Sequence, residues 1–138
     1  MIARIRKDSA ATAKPTDTLP VIQTRDLAPG ESVGYGNTWI AQRDTRVATL
    51  AAGYADGLHR AFQRQGIMAY AGSTPCPVVG RISMDLITVD VTELNEVPPY
   101  LSLMNEAQTV DVLANAADTI GYEVLTSLGN RYARTYSA

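Results

Sequence analysis

The chain has 138 residues, of which 46% are hydrophobic and 19% are charged, as is ordinary for one globular domain. Its formal net charge of −2 gives no electrostatic basis for binding nucleic acid or an anionic membrane surface. No run of the sequence approaches the roughly 20 apolar residues that a membrane-spanning helix needs.

The first residues of the chain read as a polar extension rather than as part of a fold. They are rich in Ala, Thr, Lys and Asp and show no sustained hydrophobic periodicity. This composition predicts a disordered tail or linker over residues 1–18 and a single folded domain over residues 19–138. The domain should open with a strand over residues 20–27.

A tyrosine follows the first predicted turn. Pro29-Gly30 is typical of a type II turn, and Tyr35 comes shortly after it, between Gly34 and Gly36. Glycine removes side-chain bulk and permits unusual backbone angles. We therefore expect the Tyr35 hydroxyl to be open to a ligand, although a turn tyrosine that packs on a barrel mouth has the same signature.

The middle of the chain alternates strand and turn signals. Residues 46–52 form a β-branched, apolar run, and Asp56 is a plausible N-cap for a helix that ends at Gly66. Residues 67–71 predict another strand. Pro75-Cys76-Pro77 follows and indicates an edge strand or a strand entry. Because Cys76 is the only cysteine, the sequence excludes an internal disulfide, favours a reducing, cytoplasmic setting and, with one histidine, predicts no zinc site.

Residues 82–92 carry an alternating pattern that changes phase. One face of the later part holds Ile87, Val89 and Val91, but the apolar residues before them have the opposite parity. A change of phase within a strand predicts a β-bulge or a break, here near residues 85–86. Bulges concentrate near functional sites, which draws attention to Met84-Asp85.

The last part of the chain is predicted to be helical before a closing strand. Thr109 is placed to cap one helix, a second helical pattern covers residues 120–128, and residues 131–136 alternate. Several short strands with a few short helices favour a small β-barrel or a β-sandwich with helical decoration.

Four segments together resemble the C-terminal domain of bacterial alanine racemase, a pyridoxal-phosphate enzyme. They occur in the family's order and spacing, and they are Val33-Gly34-Tyr35-Gly36-Asn37-Thr38-Trp39, Gly53-Tyr54-Ala55-Asp56-Gly57, Val79-Gly80-Arg81-Ile82-Ser83-Met84-Asp85 and Thr119-Ile120-Gly121-Tyr122-Glu123-Val124-Leu125. The resemblance covers about residues 20–138. It implies a mainly β fold, a small Greek-key-like β-barrel with a few short helices. It also implies interconversion of L- and D-alanine for peptidoglycan, with pyridoxal 5'-phosphate as the cofactor.

The resemblance also implies a role for individual residues. Tyr35 is similar to the catalytic tyrosine, which works on one face of the substrate while a lysine works on the other. Met84 resembles the residue whose backbone amide holds the substrate carboxylate, and Asp85 resembles an active-site aspartate. Tyr122 resembles the tyrosine that binds the cofactor phosphate. The positions that match the lining of the substrate entry are Tyr54, Arg60, Arg81 and Ile120.

The family's N-terminal (β/α)8 barrel has no counterpart in this sequence. That barrel carries the cofactor lysine, whereas the only lysines here, Lys7 and Lys14, lie in the polar extension outside the family's lysine motif. Asn37 also replaces the family's usual alanine. The resemblance therefore implies two partners, an N-terminal barrel domain and the second subunit of a homodimer, and it predicts an inactive isolated chain.

Two other functions stay open at the level of sequence. The chain is also compatible with another amino-acid racemase or a decarboxylase of the same two-domain plan. A non-catalytic binding module that retained the domain is the second alternative. The arginine that lowers the pKa of Tyr35 is not identified either, because Arg60, Arg81 or a residue of the barrel could do so.

Overall fold

A computed structural model of the protein describes residues 4–8, 16–33, 39–56, 58, 66–116 and 133–137. Over these residues the chain is mainly β. The strands are β1 (Arg4–Asp8), β2 (Thr16–Leu27), β3 (Ser32–Val33), β4 (Trp39–Ile40), β5 (Thr45–Leu50), β6 (Met68–Ala71), β7 (Thr74–Val79), β8 (Ile87–Asp90), β9 (Tyr100–Leu101) and β10 (Ala133–Ser137). A 3₁₀ turn covers Tyr54–Asp56, and helix α1 covers Val110–Ala116. None of the described helices is long and apolar enough to cross a membrane.

The main sheet curls until it nearly closes into a barrel. Its strand order is β10-β1-β2-β5-β8-β7-β6, and β9 pairs with β2. A bridge between Tyr70 of β6 and Ser102, directly after β9, links the far end of the sheet back to β2. The prediction of a small, mainly β barrel with few helices is therefore confirmed.

The barrel interior is filled by alternate residues of its strands. Leu50 lies opposite Ile87, and Ala48 lies opposite Val89, in the register of β5 with β8. All four are at most 1% exposed. They belong to one large apolar cluster to which β2, β6, β9 and α1 also contribute. This alternation is what places the intervening residues of the same strands on the outer face.

A second, smaller apolar cluster lies beneath the β3–β4 hairpin. It consists of Leu27, Val33, Ala41, Val47 and Val79, with Trp39 packed against it. The hairpin pairs Ser32 with Ile40 and Val33 with Trp39. Its two strands thus flank the segment that contains Tyr35, which lies outside the described residues.

Two buried polar side chains hold the segment after β9 against the barrel. The Gln108 Oε1 accepts a hydrogen bond from Met68 N (3.1 Å), and its Nε2 donates to Met68 O (2.6 Å) and to Leu103 O (2.7 Å). The Asp17 Oδ1 accepts from Leu103 N (2.7 Å) and Met104 N (2.9 Å). Burial raises the pKa of the Asp17 carboxyl to about 7, against the opposing effect of these N–H donors.

The structure differs from the sequence-based expectation within residues 1–18, the predicted tail. That segment includes β1, and β2 begins at Thr16 rather than after residue 18. β1 is ordered by pairing, because it lies antiparallel to the start of β2 and parallel to β10. Both contacts depend on the fold, so local composition does not reveal them. The domain boundary at residue 19 stays a prediction.

The break predicted near residues 85–86 is confirmed, because β8 begins only at Ile87 and an irregular loop precedes it. The proline-containing run is also explained. The prolines of β7 pair only with β6, and β8 pairs with Val78 and Val79.

The Thr109 cap is confirmed as well, since its Oγ1 accepts from Val112 N (3.4 Å). The predicted helices over residues 57–65 and 120–128 lie outside the described residues, apart from residue 58.

Candidate functional site

Two of the four recognised motifs are in contact through their backbones. The Tyr54 N–H donates to the Ser83 carbonyl oxygen (2.9 Å), and the Ala55 N–H donates to the Met84 carbonyl oxygen (3.0 Å). The 3₁₀ turn that follows β5 therefore lies directly on the irregular loop that precedes β8. Residues about 30 positions apart in sequence are brought together in this way, and they include the predicted site residues Tyr54 and Met84.

The contact is close because residue 53 is a glycine. A Cβ atom added at Gly53 would lie 2.5 Å from the Met84 carbonyl oxygen and closer still to that of Ser83. The Gly53 N–H donates to Oδ2 of Asp56 (2.9 Å), and the Asp56 N–H donates back to the Gly53 carbonyl oxygen (2.9 Å). Asp56 is buried, so its carboxylate fixes the turn from within.

The loop on the other side of the contact is closed by Ser83 and Leu86. Ser83 N donates to Leu86 O (3.0 Å), the Ser83 hydroxyl donates to the same oxygen (3.1 Å), and Leu86 N donates to the Ser83 Oγ (3.0 Å). Met84 and Asp85 lie at the apex of this loop. Among the described residues, no acceptor receives a hydrogen bond from the Met84 N–H.

The two touching segments expose apolar side chains. Tyr54 is 42% exposed, Met84 53% and Leu86 39%, although large apolar side chains are usually buried. Arg81 and Asp85, from the same loop, are exposed as well. An exposed apolar group with charged neighbours is typical of a surface that a partner covers.

Four of the predicted site residues lie outside the described residues. They are Tyr35, Arg60, Ile120 and Tyr122. The roles that the sequence analysis assigns to these positions, and to the four described ones, stay predictions. The structure brings two of these segments into contact. They are the 3₁₀ turn Tyr54–Asp56, here called the Tyr54 turn, and the loop closed by Ser83 and Leu86, here called the Met84 loop.

A surface cavity of about 640 Å³ lies elsewhere, at the end of β2 and the start of β5. Polar residues line much of it, including Asp26, whose Oδ1 accepts from Arg46 Nε (2.9 Å). None of the four described site residues, Tyr54, Arg81, Met84 and Asp85, lines this cavity. Among the described residues there is also no group of three His, Cys, Asp or Glu side chains arranged to hold a metal ion.

Sequence reasoning did not identify the structural roles of Gly53, Asp56 and Ser83. A glycine directly before Tyr54 was a usable signal, because glycine often marks a close approach of two backbones. The N-cap role of Asp56 stays a prediction, because the residues that it would cap lie outside the described residues apart from residue 58. Its Oδ2 accepts from Gly53 N, on the N-terminal side of the turn.

Comparison with known proteins gives one consistent family. The sequence model of the alanine racemase C-terminal domain matches residues 16–136. The chain is similar to the alanine racemase of Ruegeria sp. (strain TM1040), with 91% identity over 120 residues that cover 87% of this chain and 35% of that protein. It is also 60% identical over 120 residues to the alanine racemase of Dinoroseobacter shibae, covering 87% of this chain and 34% of that protein.

Solved structures agree with the sequence matches. Biosynthetic alanine racemase from Pseudomonas aeruginosa superimposes with a TM-score of 0.79 at 38% identity, over 90% of this chain and 35% of that chain. Alanine racemase from Bartonella henselae with covalently bound pyridoxal phosphate gives a TM-score of 0.82 at 36% identity, over 88% of this chain and 34% of that chain. The chain thus spans about a third of the length of the relatives it matches.

Proposed function

Because the chain belongs to the family of alanine racemase C-terminal domains, we propose that it supplies the C-terminal part of the active site of a pyridoxal-phosphate-dependent alanine racemase. The observation that carries the proposal is the contact between the Tyr54 turn and the Met84 loop. It leaves the Met84 N–H without an acceptor among the described residues, next to exposed Tyr54 and Met84 side chains.

The Met84 N–H is the donor that we assign to the substrate carboxylate. An N–H that faces an anion forms a charge-assisted hydrogen bond, which contributes about 1.5–3 kcal/mol. The loop around it is rigid, since Ser83 and Leu86 close it with three hydrogen bonds. A donor on such a loop loses little conformational freedom on binding, so it selects for a carboxylate in one orientation. We assign the adjacent Asp85 to the same site.

Tyr35 is the residue that we propose to carry the proton on one face of the substrate α-carbon. A free tyrosine has a pKa of about 10, so the Tyr35 hydroxyl needs a neighbouring cation to exchange its proton near neutral pH. Arg60 and Arg81 are the candidates from this chain, and both also match positions of the substrate entry. The opposite face would be served by a lysine from the part of the relatives that this chain does not span.

Pyridoxal 5'-phosphate, when bound, supplies the electron sink that makes removal of the α-proton feasible. We assign Tyr122 to its phosphate, and this residue lies outside the described residues. The Bartonella henselae structure contains the cofactor in covalent linkage, which supports its use by the complete enzyme. Tyr54, with Ile120, would narrow the entry to a small substrate such as alanine.

The partners of this domain follow from the same proposal. A (β/α)8 barrel domain and a second subunit would cover the exposed apolar side chains of Tyr54, Met84 and Leu86. The product, D-alanine, would serve peptidoglycan synthesis in the cytoplasm. These 138 residues alone would then be inactive, because the cofactor lysine would come from the part of the relatives that they do not match.

A full-length chimaera tests the function. In it, residues 16–136 of this chain replace the matching segment of the Ruegeria enzyme, which is closely similar. We expect racemisation of L-alanine, and a fall in kcat of about 100-fold or more for Tyr35→Phe, the usual contribution of a general acid–base group. Tyr100→Phe, in β9, is the matched control and should retain activity.

Three outcomes would contradict the proposal. Unchanged activity of the Tyr35→Phe chimaera would remove Tyr35 from the reaction. Preference for another amino acid, or release of an amine, would favour the alternative racemase or decarboxylase. A folded chimaera that retains the cofactor absorbance but is inactive would favour a non-catalytic module.

A further inference from the structure

We propose that Gly53 and Asp56 are positioning residues that aim the Met84 N–H at the substrate carboxylate. The inference rests on the proposed function, in which that N–H is the carboxylate donor. It adds two residues that contact neither substrate nor cofactor. They act through the backbone contact between the turn and the loop.

The direction of the Met84 N–H follows from peptide geometry. The Ser83 carbonyl and the Met84 N–H belong to one peptide unit, and no described peptide bond is cis. In a planar trans peptide the C=O and N–H point in opposite directions. Since the Ser83 oxygen accepts from Tyr54 N (2.9 Å), the Met84 N–H must point away from the turn. The hydrogen bond on one side of this peptide therefore fixes the direction of the donor on the other.

The turn can make this hydrogen bond only while Asp56 holds its shape. The Asp56 carboxylate accepts from Gly53 N (2.9 Å), and the Gly53 carbonyl oxygen accepts from Asp56 N (2.9 Å) and Leu58 N (3.4 Å). Asp56 is only 2% exposed, so water cannot readily replace its oxygen. Loss of the carboxylate would leave the Gly53 N–H without its acceptor and release the start of the turn.

Gly53 is required for a steric reason. Its φ lies outside the left-handed region, so an L-residue could adopt its backbone conformation. A Cβ atom, however, would approach the Met84 carbonyl oxygen to 2.5 Å and the Ser83 carbonyl oxygen more closely still. Both are backbone atoms, which cannot rotate away as a side chain can. An alanine here would push the Ser83–Met84 peptide off the turn. The strength of a hydrogen bond falls steeply with its angle, so the carboxylate would be held less well.

The full-length chimaera described above tests the effect on the substrate. We expect Asp56→Ala and Gly53→Ala to raise KM for L-alanine by about 10-fold or more, because each would weaken one charge-assisted hydrogen bond to the substrate. The value of kcat should change far less. Asp56→Asn should restore KM, because its amide oxygen can still accept from Gly53 N. Gly72→Ala is the control: Gly72 has a φ of 60° and nothing within 4 Å of an added Cβ, so it loses backbone freedom but displaces no neighbour.

Amide hydrogen exchange in the 138-residue chain tests the contact without any activity. The Tyr54 and Ala55 amides should be protected in the parent and in Asp56→Asn, and they should lose protection in Asp56→Ala and Gly53→Ala. Lost protection with an unchanged KM would overturn the inference, and so would Asp56→Asn behaving like Asp56→Ala. An inactive parent chimaera would count against the proposed function, while the exchange pattern would still decide whether the turn holds the loop.

Discussion

Asp17 should make the domain less stable as the pH rises toward neutrality. Its Oδ1 accepts two backbone hydrogen bonds, but its Oδ2 is buried and has no hydrogen-bond partner among the described residues. Burial raises the pKa of the carboxyl from an ordinary value of 3.8 to about 7. The folded chain therefore binds a proton between these two pH values that the unfolded chain has released. The contribution of this carboxyl to stability is then most favourable below pH 4, falls as the pH rises to about 7, and is level above it.

The magnitude follows from the size of the pKa change. Each pKa unit corresponds to about 1.4 kcal/mol, so the carboxyl would cost about 4 kcal/mol of folding free energy once it is fully ionised. Asp17→Asn removes the ionisation and retains an oxygen for Leu103 N and Met104 N. The free energy of unfolding of Asp17→Asn minus that of the parent should therefore increase by about 3 kcal/mol between pH 5 and pH 8.

Urea unfolding of the 138-residue chain at a series of pH values measures this difference. Other carboxyl groups change the stability of both proteins alike, so they cancel in the comparison. Asp17→Ala separates the two roles of the side chain, because it also removes the acceptor and should be destabilised relative to Asp17→Asn at every pH. A difference between Asp17→Asn and the parent that changes by less than about 0.5 kcal/mol across this range would refute the reasoning.

Two further predictions concern other buried polar groups. Gln108→Ala should lower the free energy of unfolding by about 2–4 kcal/mol, because it removes three hydrogen bonds and leaves backbone groups of Met68 and Leu103 unpaired. Urea unfolding measures this change, and a decrease of less than about 1 kcal/mol would contradict the prediction. The Cys76 thiol, 1% exposed and with its pKa raised chiefly by burial, should react with a thiol reagent far more slowly in the native chain than in urea. Equal rates in the two conditions would show that the thiol is accessible.

The sequence predicted those features of the fold that depend on local pattern. The change of phase before Ile87 located the break, because alternation reports directly which face each residue occupies. The two prolines of β7 predicted an edge strand or a strand entry. The structure shows them paired with β6 alone, since proline lacks the N–H that a second neighbour would need. Family resemblance, rather than periodicity, separated a barrel from a sandwich.

Contacts between distant segments could not be predicted in the same way. Asp17 lies in a segment interpreted as a tail, yet it accepts hydrogen bonds from residues 86 and 87 positions later. Only the strand register reveals such partners. For the candidate site, the family resemblance implies roles for Tyr54 and Met84, which stay predictions, and the structure shows their segments in contact. The glycine before Tyr54 signals a close approach of two backbones, but the sequence does not reveal that residues 83 and 84 lie opposite it.

Gln108 also guards the barrel against aggregation with other copies of this chain. An unpaired strand edge attracts strands from other molecules and so promotes aggregation. Where β6 meets the segment after β9, the Gln108 side-chain amide is hydrogen-bonded to both the N–H and the carbonyl oxygen of Met68. The backbone of Ser102 is hydrogen-bonded in the same way to that of Tyr70. The side of β6 that faces away from β7 is thereby closed at both residues by groups of the same chain. A single glutamine side chain thus makes the hydrogen bonds that a neighbouring strand would make at Met68, and it presents no new strand edge to which another molecule could add.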